Sequence, residues 1–236
     1  MLDIDGCITD GKNKKIDLKS MVKLQEIINE TLPIKTVLCT GRSASYVEAI
    51  SQMLHISDWC ICENGAYIYH PINDDLLLNP IITSSKINEL NKIKIKILSD
   101  KEIKEKSRLE IGKDFSISLN PIGIGIEDLF QIIKKNKYSD DIFVSHSTTA
   151  VDITPKGVNK GSILDLWCAT TKSQHNQILG VGDSVGDMYF LEKCGFVACP
   201  NNASQNIKML SNFVSEESST LGLIDIYTNL HSLLSI

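Results

Sequence analysis

Apolar residues in this chain come in short runs, and each run stops at a loop carrying acids, glycine or threonine. The opening stretch Leu2-Asp3-Ile4-Asp5-Gly6-Cys7-Ile8-Thr9-Asp10 sets the type. Successive side chains of a strand alternate in direction, so Asp3 and Asp5 share one side and Ile4 turns inward. Gly6 lets the chain bend sharply after them. Over residues 17–30, Leu18, Met21, Val22, Leu24, Ile27 and Ile28 recur at helical spacing, with Asp17 as N-cap and Pro33 as the stop. Residues 34–39 predict a buried strand running into Thr40-Gly41-Arg42-Ser43. A helix is predicted near 44–54, and residues 58–62 read as a third strand ending in Glu63-Asn64-Gly65. Short apolar strands alternating with helices mark a parallel α/β sheet.

The pattern changes from about 67 to 150. Residues 66–69, 76–78, 116–119 and 142–145 read as amphipathic, hairpin-like strands, between Lys-rich helices near 85–97, 100–110 and 125–136. The lysines read as solvated faces. The α/β pattern resumes after Lys156-Gly157-Val158-Asn159-Lys160-Gly161. It gives a helix at 160–171, a strand at 177–181 ending in Gly182-Asp183-Ser184-Val185-Gly186-Asp187, a helix near 187–193, a strand at 195–199, a helix near 203–211 and a strand at 213–214. The expected fold is α/β: a Rossmann-like three-layer core with a parallel sheet, residues 1–65 and 151–236, split by a smaller α+β insertion, residues 66–150.

Composition narrows the class. The 236 residues are 42% apolar and 22% charged, as expected of a globular protein with a sizeable core. The net charge of -5 and the lack of a Lys/Arg block argue against nucleic acid as partner. No run of 18 apolar residues suggests a membrane span. Seven cysteines, at 7, 39, 60, 62, 168, 194 and 199, form no zinc-type pairing and read as buried thiols of a reducing, cytoplasmic setting. Oligomeric state is not legible.

Four motifs lie where predicted strands stop, and the carboxyl ends of strands in an open parallel sheet share one edge where ligands bind. Asp3 and Asp5, Thr40-Gly41-Arg42, Lys160, and Asp183 with Asp187 are therefore expected to converge. Crowded carboxylates call for a hard divalent cation, Mg²⁺, held by Asp3, the main-chain carbonyl of Asp5, Asp183 and Asp187. Asp3 is the expected nucleophile towards phosphorus, forming an aspartyl-phosphate. Asp5 would protonate the leaving oxygen and later deprotonate water. Thr40, the Gly41 N–H and Lys160 would hold phosphate oxygens, and Lys160 would keep Asp3 ionised. Arg42, Asn64 and Asn202 are candidate substrate contacts; the alternatives are an ion pair for Arg42, a turn cap for Asn64 and a helix cap for Asn202. His146, a lone histidine of the insertion, reads as structural.

At these residues the chain resembles the haloacid-dehalogenase-like phosphohydrolases. The matching stretches are Asp3-Ile4-Asp5-Gly6, Cys39-Thr40-Gly41-Arg42, Gly157-Val158-Asn159-Lys160-Gly161 and Gly182-Asp183-Ser184-Val185-Gly186-Asp187-Met188. The resemblance implies a type C2 cap, similar to the archaeal-type phosphoglycolate phosphatase and sucrose-phosphatase branch. It further implies Mg²⁺-dependent hydrolysis of a small phosphomonoester such as phosphoglycolate or a sugar phosphate. A phosphotransferase or sugar-phosphate mutase on the same scaffold, or a non-catalytic phospho-acceptor, are the alternatives. Cys7 and Gly186 depart from the family's usual threonine and asparagine.

Overall fold

A computed structural model describes residues 1–230 and 232, except residues 32, 137 and 148. One sheet runs through the larger unit. Its parallel part is ordered Phe213–Val214, Phe196–Cys199, Leu179–Val181, the single residue Leu2, Leu38 with Cys39, and Cys60–Cys62. Leu2 sits at the centre, bridged to Leu38 on one side and Val181 on the other. The sequence reading begins the second strand at residue 34, but pairing is confined to Leu38 and Cys39. On that side Leu2 is the position that pairs, its amide donating to Val37 and its carbonyl accepting from Cys39, each at 2.8 Å.

The helix Leu18–Glu30 begins as expected, with the Asp17 carboxylate accepting from the Lys19 amide. It buries Met21, Leu24 and Ile28, and packs on the helices Ala44–Leu54 and Ser219–Thr228. The short helices Leu164–Thr171 and Met188–Leu191 add Trp167, Phe190 and Leu191 to the same core. Close approach of these parts depends on glycine at two places. A Cβ on Gly161 would stand 1.9 Å from the Tyr189 carbonyl, and one on Gly195 would stand 2.1 Å from the Asn176 carbonyl.

The sheets divide the chain differently from the expected boundaries at 66 and 150. Residues 67–78 do form a hairpin, but Tyr67–His70 pairs antiparallel with Cys60–Cys62, and Asp75–Leu78 extends that edge. The reason is the turn Glu63-Asn64-Gly65, in which all three residues have positive φ and reverse the chain at once. Tyr67, Ile68 and Tyr69 accordingly belong to the main core. At the other end, Val151–Pro155 is buried along its whole length and lies inside a second, four-stranded antiparallel sheet. It stands between Ile117–Pro121 and Ile142–His146, with Ser107–Leu109 at the far edge. Helices Ser84–Ser99, Lys101–Lys106 and Ile126–Lys135 close a separate core around Leu90, Ile93, Ile97, Leu129 and Ile153. The helix expected over 100–110 thus ends at Lys106, where the chain turns into a strand. We take residues 83–156 as the inserted unit.

Candidate active site

The expected convergence is present. The Asp3 amide donates to the Val181 carbonyl at 2.9 Å, which fixes the first acidic residue at the end of the central strands. Gly6, at φ +89°, carries the chain past Asp183; a Cβ there would lie 2.2 Å from an Asp183 carboxylate oxygen. No other residue type fits this approach without displacing the carboxylate. Asp3, Asp183 and Asp187 are all buried, and one carboxylate oxygen of each lies within 4.8 Å of the others.

Lys160 stands among them. Its Nζ donates to Asp3 Oδ1 at 2.8 Å and to Asp187 Oδ1 at 2.6 Å. The other Asp187 oxygen is taken by its own loop, accepting from the amides of Asp183 and Ser184 and from the Ser184 hydroxyl. Asp187 therefore organises the loop and the lysine together. Asp183 Oδ1, by contrast, is buried with no hydrogen-bond partner. A buried, unpartnered carboxylate oxygen is costly unless something positive reaches it.

Electrostatics point the same way. Burial first, then the Asp187 charge, pushes the Asp3 carboxyl up to about 7 despite Lys160. Burial and Asp187 push Asp183 up to about 8. Burial would lower the Lys160 ammonium, yet Asp187 and Asp3 raise it well above its ordinary value. Three buried carboxylates stand together, only two of them bonded to the one buried cation, and the donor set is all oxygen. These residues fit a hard divalent ion such as Mg²⁺.

A prediction follows on stability. A carboxyl raised above its unfolded value of 3.8 stabilises the fold when protonated, and that contribution is lost as pH rises through about 7 for Asp3 and about 8 for Asp183. A cation bound to the carboxylates reverses that loss. Added Mg²⁺ is expected to raise the melting temperature by roughly 2–4 °C more at about pH 8 than at about pH 5. Differential scanning fluorimetry at the two pH values checks it, and equal shifts would count against a cation at these acids.

Gly41 and Asn64 line the same cavity as the acids. Thr40 is buried, its Oγ1 accepting from the Arg42 amide, and its carbonyl accepts from the Asn64 amide. Gly41 faces Asn64, whose side-chain oxygen would be 2.9 Å from a Cβ at that position. Asn64 Nδ2 is buried with no partner, a free donor beside the Gly41 backbone. The left-handed turn that carries Asn64 is backed by Gly65, where a Cβ would meet the Asn159 carbonyl at 2.1 Å. One turn thus sets both Asn64 and the backbone before Lys160.

Arg42 and Asp5 form a pair. Arg42 Nε and Nη2 donate to the two Asp5 oxygens at 2.7 and 2.5 Å. The guanidinium stacks over Tyr46, 4.6 Å from its ring centre. So the Asp5 carboxylate lies apart from the three-acid cluster, and Arg42 acts as its ion-pair partner. Asn202 differs from the substrate contact it was a candidate for. Its Nδ2 donates to the Gly6 carbonyl and its Oδ1 accepts from the Ser219 amide, bracing the acidic loop against the last helix. Gly186 lines the cavity, and the missing side chain leaves that wall open.

Sequence reasoning missed the cavity's second wall. Asp3, Asp5, Gly41, Arg42, Asn64, Lys160 and Asp183 face residues of the inserted unit, among them Glu110, Lys113, His146 and Asp152, across a cavity of about 60 Å³. It also missed Glu63. This buried carboxylate accepts from the amides of Asp114 and Phe115 and from the Ser116 hydroxyl, tying the inserted unit to the core. Burial raises its carboxyl, while those donors pull it back. The signal was the residue type itself, an acid in the turn that leads out of a buried strand.

A model of the haloacid dehalogenase-like hydrolase family matches residues 1–98 and 83–226, and the chain belongs to that family. It is an enzyme of the hydrolase class. Among curated relatives, the phosphoglycolate phosphatase of Methanobrevibacter smithii is 26% identical over 221 residues, 90% of this chain and 89% of that one. That of Methanothermobacter thermautotrophicus is 21% identical over 224 residues, 95% and 94% of the two chains. Among solved structures, Thermoplasma acidophilum 0175 superposes with a TM-score of 0.73 at 19% identity, over 98% of this chain and 96% of that one. The sucrose-phosphatase of Synechocystis, solved with sucrose and phosphate, gives 0.68 at 18% identity, over 98% and 95%. These structural likenesses carry the fold.

Proposed function

We propose that this protein is a Mg²⁺-dependent phosphatase that hydrolyses a small phosphorylated metabolite through an aspartyl-phosphate on Asp3. The observation that carries the reading is the buried gathering of Asp3, Asp183 and Asp187 around Lys160, beside Thr40 and Gly41. Residues 83–156 act as the cap, of the C2 type, over that corner. The relatives' names and the sucrose-phosphatase fold suggest two substrate classes, phosphoglycolate and sugar phosphates. No described helix is long and apolar enough to cross a membrane.

The chemistry follows from the residues. An Asp3 oxygen attacks phosphorus, and the bond from phosphorus to the ester oxygen breaks. Asp5, carrying a proton, gives it to the departing oxygen. Asp5 then takes a proton from water, whose oxygen attacks the same phosphorus and frees Asp3 and inorganic phosphate. Arg42 takes one lone pair of each Asp5 oxygen and orients the carboxyl, and a second lone pair remains for the proton. Lys160 opposes the burial that raises the Asp3 carboxyl and adds a positive charge at the phosphate. Thr40, the Gly41 N–H and the free Asn64 amide orient the phosphate oxygens. Mg²⁺ held by Asp3, Asp183, Asp187 and the Asp5 main-chain carbonyl would supply the charge that offsets repulsion between carboxylate and phosphate.

The test is release of inorganic phosphate from a panel of phosphorylated metabolites and p-nitrophenyl phosphate. Turnover is expected with Mg²⁺ and none after EDTA treatment, restored by Mg²⁺. A protein that hydrolyses nothing on the panel with Mg²⁺ present is not this enzyme.

A further inference from the structure

The cap-facing half of the cavity carries three basic side chains, Lys12, Arg42 and Lys113. A carboxylate on a substrate would need at least one of them unpaired. Each already faces an acid, and Glu110 is shared by all three. Lys12 Nζ contacts Glu110 at 2.5 Å and donates to the Asn120 side-chain oxygen at 2.6 Å. Arg42 holds Asp5 by two hydrogen bonds, with Nη1 3.7 Å from Glu110. Lys113 lies 3.6 Å from Glu110 and 3.7 Å from Asp152, and donates to the Ser118 hydroxyl at 2.5 Å. Three cations meet three acids, Asp5, Glu110 and Asp152. His146, also on this wall, has Nε2 3.4 Å from the Glu127 carboxylate. Burial would raise the Glu110 carboxyl, but Lys113, Lys12 and Arg42 outweigh it and hold it below the ordinary range.

We propose that the substrate is the phosphomonoester of a small neutral polyol, and that Glu110 excludes substrates carrying a carboxylate besides the phosphate. The proposal rests on the phosphatase reading above. A carboxylate entering this half would leave water, meet Glu110 and Asp152 at close range, and find every described cation on the wall engaged. A hydroxyl has the opposite experience: it donates to Glu110 or Asp152 without adding charge. Such a site rejects the wrong group by leaving it unpaired. The relatives named for phosphoglycolate are 21–26% identical to this chain, which leaves room for this half of the site to differ.

The test compares two substrates of similar size and different charge, glycerol 3-phosphate and 2-phosphoglycolate, with p-nitrophenyl phosphate as reference. Phosphate release with Mg²⁺ gives kcat/KM for each. Glycerol 3-phosphate is expected to be preferred by at least about tenfold. Equal or better use of 2-phosphoglycolate would overturn the proposal. So would p-nitrophenyl phosphate cleavage with neither small substrate turned over; in both cases the phosphatase reading survives. Failure of all three overturns both. In Glu110→Gln, one of the three acids is neutralised while its shape and one acceptor remain. The ratio of kcat/KM for the two substrates should move towards 2-phosphoglycolate by about tenfold, chiefly through KM. An unmoved ratio in a folded variant assigns Glu110 a structural role and overturns the exclusion.

Discussion

Asp3→Asn is expected to abolish turnover, on the order of 10⁶-fold in kcat, the scale of removing a nucleophile from a catalytic unit. The substitution keeps the side chain's shape and its hydrogen bond from Lys160, so the fold should survive. What it removes is the charged oxygen proposed to form the bond to phosphorus. The surroundings of Asp3 act on its charge in opposite directions. Burial pushes its carboxyl up to about 7, and Lys160 at 2.8 Å opposes that rise. The measurement is phosphate release from the best panel substrate, with circular dichroism to show an intact fold. A rapid acid quench of the wild-type protein should also trap a hydroxylamine-sensitive phosphoenzyme that the variant lacks. Residual activity within tenfold of wild type would end the nucleophile assignment.

The second large effect is expected at Asp5. Asp5→Asn should slow hydrolysis of an alkyl phosphate by about 10²–10⁴-fold, the usual contribution of a placed proton donor and acceptor. Asparagine can still accept from Arg42, so the loop should keep its conformation. The Asp5 side chain lies outside the three-acid cluster, and stabilisation of the protein by Mg²⁺ should therefore persist. The leaving group provides the control. A p-nitrophenolate departs without a proton, so the loss in its release should be smaller than with an alkyl substrate. Equal losses on both would argue that the substitution disturbed the site rather than its proton transfer.

How much of this could be read from the chain depends on what each residue rests on. Three of the four motifs were legible because each sits where an apolar strand of the parallel sheet stops, and such strand ends meet on one edge; Lys160 instead follows Val151–Pro155, a strand of the antiparallel sheet. Gly6 and Gly41 were legible as turn residues, although the carboxylate and amide they make room for were not. The pairing of Arg42 with Asp5 was not legible, because a guanidinium at a helix start has many partners within reach. The wall built by Glu110, Lys113 and Asp152 left no sequence signal, since these residues gather only when the antiparallel sheet pairs Ile117–Pro121 with Val151–Pro155. Ser219–Thr228 passed unnoticed for a different reason. Leu223, Ile224, Ile226 and Tyr227 are buried almost all round, so the helix lacks the one-sided pattern that marks a surface helix. The boundary at 66 was misplaced because a hairpin of alternating residues looks the same on either sheet. Only the three-residue left-handed turn decides where it lies.

That turn limits how this enzyme could be taken apart. Glu63 is anchored by residues 114–116, its neighbour Asn64 abuts Gly41, and Gly65 backs onto the main chain before Lys160. A core excised from its insertion would keep every acid and lysine of the phosphate corner, yet would strand a buried carboxylate with three of its donors gone. The smaller half is thus more than an exchangeable lid. It completes the fastening that holds the catalytic loops in register, and swapping it for a foreign one would demand a matching grip on a single glutamate.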